Sequence, residues 1–198
     1  MAESTVEPAS DLEVDGRPLR RFRVDEYHRL IEAGVLGEDE HVELIDGVIV
    51  AMAPLGLPHA FAIQELNRLL ARQLPDEFRL RPQLPATLDD LNEPEPDFAI
   101  VRTEATRGKK NHPDHALVMI EVADSSLRYD RTRKAALYAR RRIPEYWIVN
   151  VTERAIEVHR DPDATGKRYR VTEILRAGQT LESAAVPGVR VEIAAIFE

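Results

Sequence analysis

The chemistry most visible in this chain lies in two carboxylates and a lysine. Glu121 stands inside an otherwise apolar run, Ala116 to Ala123, within HALVMIEVADSS. A charged side chain taken out of water costs several kcal/mol or more unless it is paired, protonated or metal-bound, so this position needs a reason. Asp97, in PEPDFAIV, raises the same question on a second short apolar run. Side chains alternate across a strand, so Met119, Glu121 and Ala123 share one face, as do Asp97, Ala99 and Val101. If the two strands are neighbours and both residues sit mid-sheet, the carboxylates converge, and they repel unless a divalent cation lies between them. Mg²⁺ is commonly held by one or two carboxylates plus waters and phosphate oxygens. Lys134 follows on a helical segment, in one stripe with Tyr138 and Arg141, and with Asp130 one turn before. A lysine there can orient a water or offset charge developing at phosphorus. An oxygen-rich metal site beside a lysine suits phosphodiester hydrolysis.

Each residue also has a plainer explanation. Asp97 after Pro96 can hydrogen-bond a turn, Glu121 can pair with Arg81 or Arg102, and Lys134 can be solvated surface. The three together, in this order and on these elements, are more informative than any one.

The elements that must position them are legible from periodicity. Residues 24–33 carry Tyr27, Leu30 and Ile31 at helical spacing, with Gly34 as a stop. HVELIDGVIVAMAP reads as a hairpin turning at Asp46-Gly47. PHAFAIQELNRLLARQLP follows the helical period between prolines. Phe78 to Leu84 alternates, with a proline typical of an edge strand. Asp130 is read as the N-cap of a helix over 130–142, which Ile143-Pro144 ends. EYWIVNV is a further buried strand, with Trp147 expected to straddle sheet and rim, and AIEVHR, KRYRVTEIL and VRVEIAAIF complete the strand candidates. The order predicts an α/β fold, a mixed central sheet flanked by helices with β-hairpins at both ends.

The chain of 198 residues suits one domain with decorations, taken as an acidic, disordered tail over 1–18 and a single domain over 19–198. There is no cysteine, which excludes disulfides, thiolate metal sites and cysteine nucleophiles. No apolar run approaches the ~20 residues of a membrane helix, and the acidic start lacks the features of a signal peptide, so no membrane role and a cytoplasmic location are expected. The net charge is −8, but residues 1–15 hold five acidic and no basic side chains, whereas residues 128–142 hold seven Arg and Lys.

PEPDFAIV, LVMIEVADSS and YDRTRKAALYARRRIPEYWIVNV together resemble the Uma-type family of restriction-endonuclease-like proteins, a branch of the PD-(D/E)XK nuclease superfamily. The likeness runs from about Val24 to Val151, more loosely beyond, and HVELIDGVIVAMAP with His59 is similar to the family's hairpin and helix entry. It implies a restriction-endonuclease-like sheet and a metal site of Asp97 and Glu121, with Glu43 as a further acidic candidate. Where the wider superfamily has Glu-x-Lys, this chain has Glu121-Val122-Ala123, and Lys134 matches a lysine displaced to the helix. Asn150 stands where an Asp is commoner, and Arg142 where a Gly usually precedes Ile-Pro.

The expected function is a Mg²⁺- or Mn²⁺-dependent endonuclease acting on nucleic acid, with DNA the favoured form. Asp97, Glu121 and Lys134 are its catalytic group; Asp97, Glu121 and Glu43 are its metal ligands. His59, Arg131, Tyr138 and Arg141 are candidate substrate contacts, although His59 also suits the helix N-cap region and Tyr138 a pocket wall. A homodimer is expected through the strand-rich ends. The competing reading is a catalytically inactive nuclease-fold module that binds nucleic acid or a protein. A third makes Asp97 and Glu121 members of buried ion pairs in a scaffold. The substrate's sequence or structure and the biological pathway are not encoded in any recognisable motif.

Overall fold

The computed structural model describes residues 13–15, 17–37, 39–53, 56–107 and 112–198. The expected tail falls largely on residues 1–12, outside the described residues. Glu13–Val14 (β1) and Arg17–Pro18 (β2) pair antiparallel in a small ladder.

Val24–Glu32 forms α1, whose Tyr27 is buried. Val42–Ile45 (β3) and Val48–Ala51 (β4) form the hairpin. At its turn Asp46 and Gly47 both have positive φ, 50° and 75°, as a type I′ turn requires. A Cβ at Gly47 would lie 2.5 Å from Arg21 Cβ, so the turn is also packed too closely for a larger residue. Leu57–Ala71 is α2, with Pro58 in its first turn, where proline's missing N–H costs nothing.

The central sheet has six strands in the order β10-β9-β8-β7-β6-β5. They are Phe78–Pro82 (β5), Phe98–Arg102 (β6), Val118–Ala123 (β7), Glu145–Asn150 (β8), Ala155–Asp163 (β9) and Arg168–Arg176 (β10). Only β7 and β8 are parallel, and a helix makes the crossover between them, as a parallel pair demands. Pro82 lies on β5, an edge strand, where a missing N–H breaks no ladder.

The crossover helix is composite. Leu127–Tyr129 (α3), a π turn over Asp130–Lys134 and Ala135–Arg140 (α4) run on with helical backbone angles at both junctions. The helix therefore begins three residues before the expected N-cap. Asp130 is helical (φ −65°, ψ −42°) and 3 % exposed; Ser126 takes the cap position.

Alternation on β7 divides the core as expected. Val118, Ile120 and Val122 join Phe98, Ile100, Trp147 and Val149 on a face covered by α2 and by the C-terminal segment. That segment comprises Thr180–Glu182 (β11), Arg190–Glu192 (β12) and a 3-10 turn over Ala194–Ile196. Met119 and Ala123 join Ala99, Val101, Tyr146 and Ile148 on the face covered by α4. Trp147 is wholly buried in the first layer, not at a rim, because β8 is interior and its odd-numbered residues face α2's side.

Candidate active site

Glu121 is on β7 under α4, 6 % exposed, and the pairing of Phe98 with Ile120 and Ala99 with Met119 sets Asp97 beside it. Asp97 is not mid-sheet as expected: it immediately precedes β6, where the ladder to β7 has ended. Its side chain replaces the missing ladder bond. Asp97 Oδ2 accepts from the Val122 N–H at 2.8 Å and pairs with His59 Nε2 at 3.2 Å. That end of the strand pair is thus held by a carboxylate.

Lys134 is 3 % exposed and binds two buried carboxylates at once. Its Nζ donates to Glu43 Oε2 at 2.6 Å and to Glu121 Oε1 at 3.0 Å. Glu43 comes from β3 and is 3 % exposed. Tyr138, one turn along from Lys134, donates from its hydroxyl to Glu121 Oε1 at 2.7 Å, and the Glu95 N–H donates to Glu43 Oε2 at 3.2 Å. β3, remote in sequence, therefore meets β7 and the crossover helix on one ammonium.

The electrostatics follow from burial. Burial pushes the Glu121 carboxyl up to about 8, against the pull of Lys134, with Asp130, Asp97 and Glu43 adding to the rise. Burial acts to lower Lys134, but Glu121 and Glu43 outweigh it and hold the ammonium above its ordinary range. Asp130, which accepts from Ser126 Oγ at 2.6 Å, is pushed up to about 6 by burial. His59 is opposed by burial, yet its hydrogen bond to Asp97 leaves it raised.

The other candidate substrate contacts are placed differently. Tyr138 is completely buried and serves Glu121, so it positions the carboxylate and cannot itself touch a substrate in this arrangement. Arg131 is held by both oxygens of Glu157, at 2.6 to 3.0 Å, and Arg141 by Asp89 at 3.5 Å. His59 stands beside Asp97 with its side chain 12 % exposed. Two further groups belong to the neighbourhood. Glu95 is raised by burial and by Glu43, with His41, Lys134 and Asp97 also acting on it. Tyr129 feels Glu43, Lys134, Glu121 and Asp130, but gives no sequence signal of its own.

Among the described residues no three His, Asp or Glu side chains form a ready-made metal cluster. The donor chemistry nevertheless fits a hard divalent cation. The donors are carboxylate oxygens, and Asp97 and Glu121 each engage only one oxygen in the hydrogen bonds above.

A crystal structure of a putative nuclease belonging to DUF820 from Anabaena variabilis matches this fold with a TM-score of 0.67, at 16 % sequence identity, over 89 % of this chain and 97 % of that one. No curated protein matches the sequence. The Uma2 family, described as "Putative restriction endonuclease", matches residues 24–194, nearly the whole described chain and all the residues of the site. The chain belongs to the Uma2 family of putative restriction endonucleases, a nuclease-like family.

Proposed function

We propose that the protein is a Mg²⁺- or Mn²⁺-dependent endonuclease that hydrolyses phosphodiester bonds of nucleic acid, with DNA the expected substrate. The observation that carries this reading is Lys134, buried between Glu43 and Glu121 with Asp97 just before the adjoining strand. Asp97 and Glu121 would hold the ion, with Glu43 beside them. A divalent ion at such a site supplies Lewis acidity and an acidified water. The chain's own residues orient the parts: Lys134 and Tyr138 fix the rotamer of Glu121, and the Val122 N–H and His59 fix Asp97. The ammonium offsets charge that develops on the phosphate in the transition state. His59 stands beside Asp97 and is suited to a phosphate oxygen, while the partly exposed side chains of Arg131 and Arg141 are suited to the flanking backbone. The long unpaired edge of β10 is the part suited to a homodimer contact.

The test is plasmid cleavage with Mg²⁺ or Mn²⁺ by wild type, Asp97→Ala, Glu121→Ala and Lys134→Ala. Loss of cleavage by at least about a hundredfold in each variant supports the assignment. Equal activity in all four places the chemistry elsewhere.

A second reading, a nuclease-fold module that binds nucleic acid or a protein without hydrolysis, is favoured by one observation: Lys134 already bridges two of the three acidic candidates. Calorimetric titration separates them, because a binding module does not lose Mn²⁺ affinity on Asp97→Ala.

A further inference from the structure

Among the described residues, the Tyr129 hydroxyl is a buried polar atom near the site that the proposed chemistry leaves unused. Tyr129 as a whole is partly exposed, yet its hydroxyl oxygen is sealed from solvent and no described residue hydrogen-bonds to it. A sealed hydroxyl without a partner costs free energy, and such groups in folded proteins call for an explanation. Its surroundings supply one. The hydroxyl lies within electrostatic reach of Glu43, Lys134, Glu121 and Asp130, the residues that build the candidate active site.

The helix brings it there by a local irregularity. Asp130–Lys134 is a π turn, and the Ala135 N–H reaches back five residues to the Asp130 carbonyl. Residues five apart in a π turn lie nearly in line along the helix axis, as residues four apart do in an α-helix. Tyr129 and Lys134 are five apart, so the turn rotates the tyrosine toward the face that carries the ammonium. A regular helix would place them well round from one another. Isolated π turns recur at functional sites for this kind of re-aiming.

We propose that Tyr129 is a substrate-binding residue of this site, donating its hydroxyl hydrogen bond to a non-bridging phosphate oxygen of the bound nucleic acid; this rests on the nuclease reading above. The chemistry is matched. Burial first, and then the surrounding carboxylates, keep the phenol protonated, so it offers a neutral donor where acidic side chains offer only acceptors. Tyr129 is partly exposed although its hydroxyl is sealed, so in this proposal the hydroxyl meets the phosphate once the bound nucleic acid displaces what covers it.

The experiment compares the full chain with Tyr129→Phe, which keeps the ring and removes only the hydroxyl. Cleavage of a labelled DNA duplex is measured with Mn²⁺, duplex binding with Ca²⁺, and stability by thermal melting. The expected result is a rise of about tenfold in both KM and duplex Kd, equal to about 1.4 kcal/mol, with kcat within about twofold. The melting temperature stays the same or rises, because a sealed hydroxyl has been removed. Wild-type KM and Kd in the variant overturn the proposal, as does a lowered melting temperature with unchanged KM, which assigns the hydroxyl to the fold. Asp97→Ala and Glu121→Ala are run alongside. If they lose cleavage while Tyr129→Phe matches wild type throughout, this inference fails and the nuclease reading stands. If they cleave like wild type, the nuclease reading fails and an unchanged duplex Kd in Tyr129→Phe overturns this inference separately. A wild-type protein that neither cleaves nor binds the duplex overturns both.

Discussion

Lys134 shares one ammonium between Glu43 and Glu121, and all three side chains are nearly sealed from water. Removing one partner from a buried ionic group strands the others, which costs far more than a surface pair does. Lys134→Ala is therefore expected to lower stability by about 3–5 kcal/mol, read by urea unfolding at pH 8. The same cluster sets a pH dependence. Glu121 rises from 4.5 to about 8 and Asp130 from 3.8 to about 6 on folding, both mainly through burial. Between those limits the folded protein binds more protons than the unfolded chain, so these groups make stability fall as pH rises. His59, raised from 6.5, contributes stability that is present below 6.5 and lost above its folded value, in the same direction. The metal-free protein is expected to melt higher at pH 5 than at pH 8, with a smaller difference in Glu121→Gln. A wild-type melting temperature that rises from pH 5 to pH 8 contradicts this account of the cluster.

At the scale of elements, the crossover helix has to end sharply to feed β8. It does so in a Schellman arrangement: the Ile143 N–H donates to the Tyr138 carbonyl and the Arg142 N–H to the Ala139 carbonyl. Arg142 sits at the left-handed position with φ 55° and is exposed. A side chain there is strained where glycine is not, which is the physical content of a glycine being usual before Ile-Pro. Arg142→Gly is expected to raise stability by about 0.5–1 kcal/mol, seen as a higher urea midpoint with unchanged slope. A lower midpoint would mean that the arginine makes a compensating contact. The β3–β4 hairpin works by the same logic in reverse, since its turn already has Gly47 where the backbone demands it and thereby delivers Glu43 to Lys134.

The whole molecule carries a net charge of −8, and the basic segment after β7 is less free than its composition implies. Arg131, Arg140 and Arg141 are paired with Glu157, Asp46 and Asp89. A nucleic acid docking here neutralises few phosphates through unpaired cations. The logarithm of duplex affinity is expected to fall with log salt at a slope of about −2 to −3, far shallower than a protein gripping 6–10 phosphates. A slope steeper than about −6 in a binding titration would require a basic surface beyond this helix. No helix among the described residues is long and apolar enough to cross a membrane.

The sequence by itself determined the mixed sheet, its two faces and the hairpin turn, because alternation, helical period and the Asp-Gly pair are local signals. It also singled out Glu121, since a charge in an apolar strand is visible without any fold. Only the tertiary structure decided what Glu121 touches. Glu43 lies 78 residues away in sequence and meets it only through Lys134, and no periodicity encodes such a distance. The start of the crossover helix is likewise decided by packing: Asp130 looks like a cap locally, but it is buried inside the helix and accepts a hydrogen bond from Ser126, which takes the cap position. Asp97 moved from mid-strand to the strand's end because the ladder stops where its own side chain takes over the Val122 N–H. The arginines showed positive charge in the sequence, but their partners come from β9, the hairpin turn and the segment before β6, elements that only packing brings together. Local physics therefore wrote the elements, and long-range packing wrote the site.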